Sequence, residues 1–221
     1  MIEIAIDGTA ASGKGTLAKK LAKKYGFPHL DTGLLYRKVA FELINKKTHN
    51  PPYLEAISCN IAKKISFYKL ESRKLRSEKT ANLASSIASF PKLREILTQK
   101  QIEFANENKE KFGGCILDGR DIGTVILPRA NFKFFINASV EVRAKRRLLE
   151  KNISFLHEKD EKCMLQSLID DINKRDNLDS NRWASPLVPA RDAHIIDTSL
   201  ISPEKLLSIV SNIIEGSESI E

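Results

Sequence analysis

The sequence lacks an apolar run long enough to cross a bilayer, and it has few residues that form disulfides or bind transition metals. Its 3 cysteines and 4 histidines lie far apart, without the spacing of a zinc site or a disulfide framework. We therefore expect no membrane span, no disulfide scaffold and no transition metal. Free thiols are typical of the reducing cytoplasm, and no signal peptide is expected ahead of the first strand pattern.

The composition is that of an ordinary folded domain. The chain has 221 residues, 42% hydrophobic and 29% charged, which is enough to build one packed α/β domain. We see no internal repeat, so we expect residues 1–221 to form a single domain. The net charge of +8 fits either a solvated basic surface or a field that attracts nucleotides or nucleic acid, and charge alone does not decide between them.

A glycine-rich segment near the start is the most informative part of the chain. It consists of Gly8, Thr9, Ala10, Ala11, Ser12, Gly13, Lys14, Gly15 and Thr16. An apolar strand pattern precedes it and a helical pattern follows it, which is the context that a phosphate-binding loop requires. Backbone N–H groups, the helix N-terminus and the Lys14 ammonium would all attract an anion. The segment predicts a site for a nucleoside triphosphate.

This loop departs from the usual motif at one position. Gly15 stands where a Ser or Thr hydroxyl normally binds Mg²⁺, and the hydroxyl comes one residue later, at Thr16. We therefore expect Mg²⁺ to be held by phosphate oxygens and water, near Thr16 and Asp118. Asp118 ends a buried strand pattern, where a carboxylate orders the water shell of the ion or simply forms a turn.

Strand and helix patterns alternate along the chain, which predicts a parallel sheet with helices on both faces. The polar segments 8–16, 31–33 and 118–121 each follow a strand, so we expect them to meet at one edge of the sheet. A further helix is predicted over 167–176. Residues 57–80 fit helical spacing, but 64–70 fit a strand equally well.

Arginines are frequent near the predicted loop ends. They are Arg37, Arg94, Arg120, Arg143, Arg147, Arg175 and Arg182. Phosphoryl transfer between phosphates brings many negative charges together, and the planar guanidinium binds phosphate in a bidentate way. The alternative for each arginine is a solvated surface charge.

Four sequence blocks together resemble the bacterial cytidylate kinases. They are IDG…SGKGT at 6–16, LDTGLLYR at 30–37, DGRDIGTV at 118–125 and RD…D.NR…PL at 175–187. The resemblance implies a P-loop NTPase-type parallel sheet with a nucleoside-monophosphate-binding flap at about 33–95 and a small lid at about 145–165. It also implies transfer of the γ-phosphoryl group of ATP to CMP or dCMP, with Mg²⁺.

The resemblance assigns roles residue by residue. Catalytic roles fall on Lys14, Arg120, Arg147 and Arg182, and ATP contacts on residues 8–16 and Arg143. CMP contacts fall on Thr32, Arg37, Ser85, Arg94, Arg120, Asp121, Arg175, Asp179 and Arg182. The resemblance further implies a cytoplasmic monomer that acts on ATP and CMP or dCMP and binds neither nucleic acid nor membrane.

One segment departs from the family pattern, and other functions stay open. Residues 57–80 are short and lysine-rich for a flap that usually carries a β-rich insert. A kinase for UMP, AMP or a small alcohol is the first alternative. A P-loop protein that binds nucleic acid or a regulatory partner in a nucleotide-dependent way is the second, and it predicts binding that weakens steeply with salt.

Overall fold

A five-stranded parallel sheet organises the fold, in the strand order β2-β3-β1-β4-β5. In this computed structural model the described residues are 1–46, 53–67, 70, 73–150 and 157–216. The strands are β1 (Ile2–Gly8), β2 (His29–Asp31), β3 (Gly114–Gly119), β4 (Phe132–Asn137) and β5 (His194–Asp197). The chain adds strands first on one side of β1 and then on the other, so the loops diverge at the carboxyl end of β1, where ligands bind in open α/β sheets.

The helices connect and cover these strands. They are α1 (Lys14–Tyr25), α2 (Gly33–Asn45), α3 (Leu54–Lys63), α4 (Glu78–Ile87), α5 (Pro91–Phe112), α6 (Val140–Glu150), α7 (Glu158–Ser180) and α8 (Pro203–Ile214). A short 3-10 helix covers Arg73–Arg76, and a π-helical turn covers Ile122–Ile126. None of the described helices is both long enough and apolar enough to cross a bilayer.

The two faces of the sheet bury two separate apolar clusters. Ile4 and Ile6 of β1 pack with α1 and α8 on one face, whereas Ala5 packs with α2, α3 and α5 on the other. Successive side chains of a strand point to opposite faces, so one strand serves both clusters. The predicted sheet with helices on both faces is confirmed.

Three sequence predictions on local structure need correction or completion. The helix predicted at 167–176 is part of the much longer α7, whose polar ends hid its extent from apolar periodicity. Within 57–80 the described residues form α3, the 3-10 helix and the start of α4. Tyr68 and Lys69 of the alternative strand lie outside the described residues, and the described part of 64–70 forms no strand.

Candidate functional site

The backbone of the phosphate-binding loop has the conformation that an anion site requires. Gly8 has φ +148°, and a Cβ there would come within 1.9 Å of the Ile136 carbonyl oxygen, so no larger residue fits between β1 and β4. Gly13, with φ +95°, caps the N-terminus of α1. Ala11 also has a positive φ, of 59°, which is a strained conformation typical of functional loops. The loop that the sequence predicted therefore has the expected backbone geometry.

Side chains from distant segments hold this loop in place. The Thr198 hydroxyl donates to the Ser12 carbonyl at 2.8 Å, and Arg146 donates to the Thr198 hydroxyl at 3.0 Å and to the Ser12 carbonyl at 3.3 Å. Thr9 donates to the Asn137 side chain at 2.9 Å. These bonds fix the Ser12 carbonyl and the Thr9 side chain, and with them the conformation of the loop.

Arg143 lies beneath the loop rather than in the cleft. Its guanidinium donates to the carbonyls of Ala138, at 2.9 Å, and Ala10, at 3.4 Å, and pairs with Asp176 of α7 at 2.5 Å. Its side chain is only 7% exposed. The Arg143 Nε and Nη1 groups donate to protein acceptors, and Arg143 does not line the cleft described below, so its direct contact with ATP stays a prediction.

Lys14 sits among charges of both signs at the carboxyl edge of the sheet. Burial, together with the charge of Arg120, lowers the pKa of Lys14 to about 8, although Asp118 and Asp31 oppose the shift. The Asp118 carboxylate contacts His29 Nε2 at 2.6 Å, and its other oxygen lies 3.6 Å from the place where a Gly15 Cβ would be. A carboxylate thus stands beside the loop position at which the usual hydroxyl is missing.

Five segments bring arginines to another part of the cleft. They are Arg37 of α2, Arg120 after β3, Arg147 of α6, Arg175 of α7 and Arg182 after α7. Three of them share the Asp179 carboxylate: Arg120 Nε donates to it at 2.8 Å, and Arg182 and Arg175 lie 3.9 and 4.0 Å away. Guanidiniums outnumber carboxylates here, which favours binding of an anion.

The polar groups and pKa values of this arginine cluster show that it is incompletely neutralised. Arg175 Nε and Arg182 Nη2 are buried without a hydrogen-bond partner among the described residues. Burial, followed by the charge of Arg120, lowers the pKa of Arg175 to about 9, and burial lowers that of Arg37 to about 10. Unpaired buried donors cost free energy unless a ligand accepts their hydrogen bonds.

A second pair of charges lies deeper on the same side. Arg94 of α5 is ion-paired with Asp121, and both side chains are at most 10% exposed. Arg94 also donates to the Ala88 carbonyl at 3.2 Å and lies 5.9 Å from the centre of the Tyr36 ring. The Ser85 hydroxyl on α4 is buried and has no hydrogen-bond partner in the part of the chain that the structure describes. Together these groups offer both acceptors and donors to a flat polar ligand.

One cleft of about 1290 Å³ joins these groups. Its lining includes these predicted site residues: Ala10, Ala11, Ser12, Gly13, Lys14, Gly15, Thr16, Thr32, Arg37, Ser85, Arg94, Asp118, Arg120, Asp121, Arg147, Arg175, Asp179 and Arg182. Gly8 and Thr9 instead pack against β4, and Arg143 lies beneath the loop.

The cleft also contains residues that the sequence analysis did not assign to it. Arg146, Asp31, Tyr36, Arg76 and Lys174 line it. In the sequence, Arg146 is one of several basic residues in a helical pattern that also contains Arg143 and Arg147. Nothing in that pattern distinguishes the arginine that lines the cleft from its neighbours. Tyr36 lies inside a block already quoted, but an aromatic residue at helical spacing is typical of a core position. Local pattern could not distinguish these side chains from packing or surface residues.

Comparisons with known proteins agree with this geometry. A model of the family described as cytidylate kinase matches residues 4–216. A cytidylate kinase from Methylocella silvestris is 44% identical over 213 residues, covering 96% of this chain and 94% of that protein. One from Bartonella tribocorum is 42% identical over 212 residues, covering 96% and 94%. An uncharacterized protein from Eubacterium ventriosum, 17% identical, shares the fold with a TM-score of 0.51 over 97% of this chain and 99% of that one.

Proposed function

The chain belongs to the cytidylate kinase family, and from this premise we propose that it transfers the γ-phosphoryl group of ATP to CMP or dCMP. The products are ADP and CDP or dCDP. The observation that carries the proposal is the cleft itself, in which a phosphate-binding loop faces an arginine cluster with unpaired buried donors. Two phosphate sites that face each other are what transfer between two nucleotides needs.

On the donor side, the loop N–H groups and Lys14 would bind the phosphates of ATP. Lys14 is half-buried and lines the cleft, where its ammonium would follow the transferred group as charge moves. Arg147 projects from α6 toward the same region, and its charge acts on both Arg37 and Arg175. Arg147 would therefore neutralise charge between donor and acceptor.

The carboxylates near the loop fit a magnesium ion that binds mainly through phosphate oxygens and water. Asp118 lies beside Gly15, and the charge of Asp118, after burial, raises the pKa of Asp31. Two adjacent carboxylates that repel each other would gain from a nearby cation. No cluster of three or more acidic, His or Cys ligands occurs among the described residues, so the protein offers no closed cage. When bound, Mg²⁺ would neutralise charge on the phosphates of ATP.

On the acceptor side, Arg37, Arg120 and Arg182 would bind the phosphate of CMP. These three arginines come from separate elements and line one cleft, so they would surround the attacking phosphate oxygen and align it with the donor. By resemblance to the family, Arg175 and Asp179 would bind the sugar, and the three guanidiniums within 4.0 Å of the Asp179 oxygens would hold that carboxylate in place. The acceptor oxygen is already ionised, so this arrangement positions it without requiring a formal base.

Base recognition would fall on Ser85, Arg94 and Asp121, while Thr32 holds the end of β3 beside them. The cytosine amino group would donate to Asp121, and Arg94 and Ser85 would donate to the ring nitrogen and carbonyl. Uracil presents an acceptor where cytosine has its amino group, and that acceptor would face the Asp121 carboxylate. A buried polar group left unpaired rejects such an analogue by as much as about 10⁴-fold.

The remaining features of the proposal rest on the family. They are one domain over 1–221, a flap at about 33–95, a lid at about 145–165 and a cytoplasmic monomer that binds neither nucleic acid nor membrane. Parts of the flap (47–52, 68–69 and 71–72) and of the lid (151–156) lie outside the described residues. The described lid residues belong to α6 and α7, which pack on each other through Ala144, Leu168 and Ile172.

The test is an acceptor panel. ADP production from ATP and Mg²⁺ is measured with CMP, dCMP, UMP and AMP as separate acceptors, and Lys14→Ala is the inactive control. Strong turnover with CMP and dCMP and little with the others is expected. Preference for UMP or AMP would retain the kinase and overturn the base-reading assignment. Absence of turnover with every acceptor would overturn the proposed function, and a salt titration of nucleic-acid binding would then test the binding-protein alternative.

A further inference from the structure

Asp7 is a buried carboxylate at the end of β1 that the proposed mechanism does not use. It is 4% exposed and lies immediately before the phosphate-binding loop. Its two oxygens accept hydrogen bonds from consecutive backbone groups, Ile122 N–H to Oδ1 and Gly123 N–H to Oδ2, each at 2.8 Å. The Asp7 carboxylate therefore connects the end of β1, next to the phosphate-binding loop, to the loop that follows β3.

These two bonds fix the start of the π-helical turn. The first N–H groups of a helical turn have no partner within it, and Asp7 supplies acceptors for two of them. Asp121, directly before the turn, uses its carbonyl to accept from Val125 N at 2.9 Å and Ile126 N at 3.2 Å. The backbone on both sides of the Asp121 peptide is thereby held, and its side chain is aimed at Arg94.

The start of the loop after β3, at Asp118, is fixed by separate hydrogen bonds. Thr32 donates to the Asp118 carbonyl through its backbone N, at 3.0 Å, and through its hydroxyl, at 2.9 Å. Only Gly119 and Arg120 lie between that anchor and Asp121. A segment so short has little freedom once both ends are held, so releasing Asp7 would move Asp121 more than it would move Asp118.

We propose that Asp7 is a positioning residue for recognition of the acceptor base. It holds the π-helical turn at 122–126. The position of that turn sets the position of the Asp121 carboxylate and of its partner Arg94, which would contact the edge of the cytosine base. The inference rests on the proposed function, because it concerns the base that the same cleft selects. It adds a residue that would touch neither nucleotide.

The charge of Asp7 matters for this role. Burial, opposed by the two N–H bonds, raises the pKa of Asp7 to about 6, with smaller effects from the charges of Asp121 and Arg120. Lys133 of β4 packs against Gly123, but its ammonium donates to Pro128 and Asp192 instead. Asp7 is thus ionised at neutral pH and accepts through both oxygens, whereas a protonated carboxyl would present a hydrogen to one of the two donors.

The experiment compares Asp7→Asn with two variants in the same turn. Asn keeps the shape but places an NH₂ group against a backbone N–H. Gly123→Ala leaves the carboxylate intact. Its Cβ would come within 3.2 Å of Lys133 Cδ, so either that side chain or the turn must shift by a few tenths of an ångström, which a crystal structure of the variant would show, whereas the 3.5 Å to Asp7 Oδ2 is an ordinary contact. Thr124→Val removes a buried hydroxyl without a partner among the described residues and is the matched control.

We expect kcat/KM for CMP to fall by about 10- to 100-fold in Asp7→Asn, since a misplacement of about 1 Å costs on that order. Preference for CMP over UMP should shrink, while the Kd for ATP changes by less than about threefold. Gly123→Ala should show a weaker effect of the same kind, and Thr124→Val none. As the pH falls from 8 to 5, the kcat/KM values of wild type and Asp7→Asn for CMP should converge, because protonation makes Asp7 resemble the variant. Titration of the substrate affects both enzymes equally and cancels in the ratio of their kcat/KM values.

The outcomes separate this inference from the proposed function. A wild-type enzyme that prefers CMP, with Asp7→Asn equally active and equally selective, would overturn the role of Asp7 alone. Parallel losses toward CMP, UMP and ATP would show a general structural role and would also overturn it. If Asp7→Asn does not fold, Gly123→Ala decides: an unchanged CMP preference there, with the turn displaced, contradicts the proposal.

Discussion

The donor and acceptor walls of the cleft are built in opposite ways. The donor wall is one continuous segment, residues 10–16, whose backbone conformation would provide the phosphate site. The acceptor wall gathers side chains from α2, α4, α5, α6, α7 and the loop after β3. The donor wall forms from a strand, a turn and a helix N-terminus, whereas the acceptor wall forms only when the whole domain is folded. We therefore expect changes to the donor wall to act on chemistry and ATP, and changes to the acceptor wall to act on CMP selectively.

The largest effect is expected for Lys14→Ala. Removing the only ammonium of the loop should lower kcat by at least about 10³-fold, because positioned cations supply much of the rate of phosphoryl transfer. CMP binding, measured by calorimetry without ATP, should change little, since the acceptor wall is intact. The thermal midpoint serves as the control for folding. Normal turnover would contradict the donor assignment.

A smaller but more selective effect is expected for Asp121→Asn. The amide would present NH₂ to the cytosine amino group, so kcat/KM for CMP should fall by about 10²-fold. Activity toward UMP should fall less or rise, because the amide donates to the uracil carbonyl. The KM for ATP should stay within about twofold of wild type. Equal losses with both acceptors would remove base reading from Asp121.

A further difference between the walls should appear as proton uptake. The pKa of Lys14 is lowered to about 8 in the free protein, and bound phosphates would raise it again. Below pH 8 the ammonium is already charged, so ATP binding takes up no proton there. Above pH 8 binding takes up one, and affinity should fall by up to about tenfold per pH unit.

Calorimetry in buffers of different ionisation enthalpy measures this proton uptake directly. Lys14→Ala should abolish it, which identifies the titrating group. Uptake that persisted in the variant would assign it to another residue. CMP binding measured over the same pH range is the comparison for the acceptor wall.

The smallest effect is expected at the cap of the helix that carries Ser85. The Ser77 hydroxyl accepts from Thr80 N at 3.3 Å at the start of α4. Ser77→Ala should lower the free energy of unfolding by about 1 kcal/mol, as for other helix caps, and raise the KM for CMP slightly. The KM for ATP should be unchanged; an equal rise in both would show that the two walls are not independent. Ser202→Ala, at the cap of α8, is the matched control away from the acceptor wall.

Much of the fold was predictable because its signals are local. Alternating strand and helix patterns predicted the sheet and both helical layers. The extent of α7 was not predictable from apolar spacing, since only Leu168 and Ile172 among its apolar residues are fully buried, beside the acidic Asp179. In the 57–80 segment, helix and strand periodicities overlapped over 64–70, so spacing alone did not distinguish them; α3, which packs on α5, ends at Lys63, and the described residues of 64–70 form neither helix nor strand.

The sequence by itself determined the phosphate-binding loop, because nine consecutive residues encode its glycines, its lysine and its flanking strand and helix. Only the tertiary structure decided which arginines face the cleft: Arg146 lines it, whereas Arg143, three residues away, lies beneath the loop. It also joined Asp7 to a turn 115 residues further along the chain. Such contacts depend on strands that pair side by side while lying far apart in sequence, and no local pattern records which neighbours a sheet will bring together.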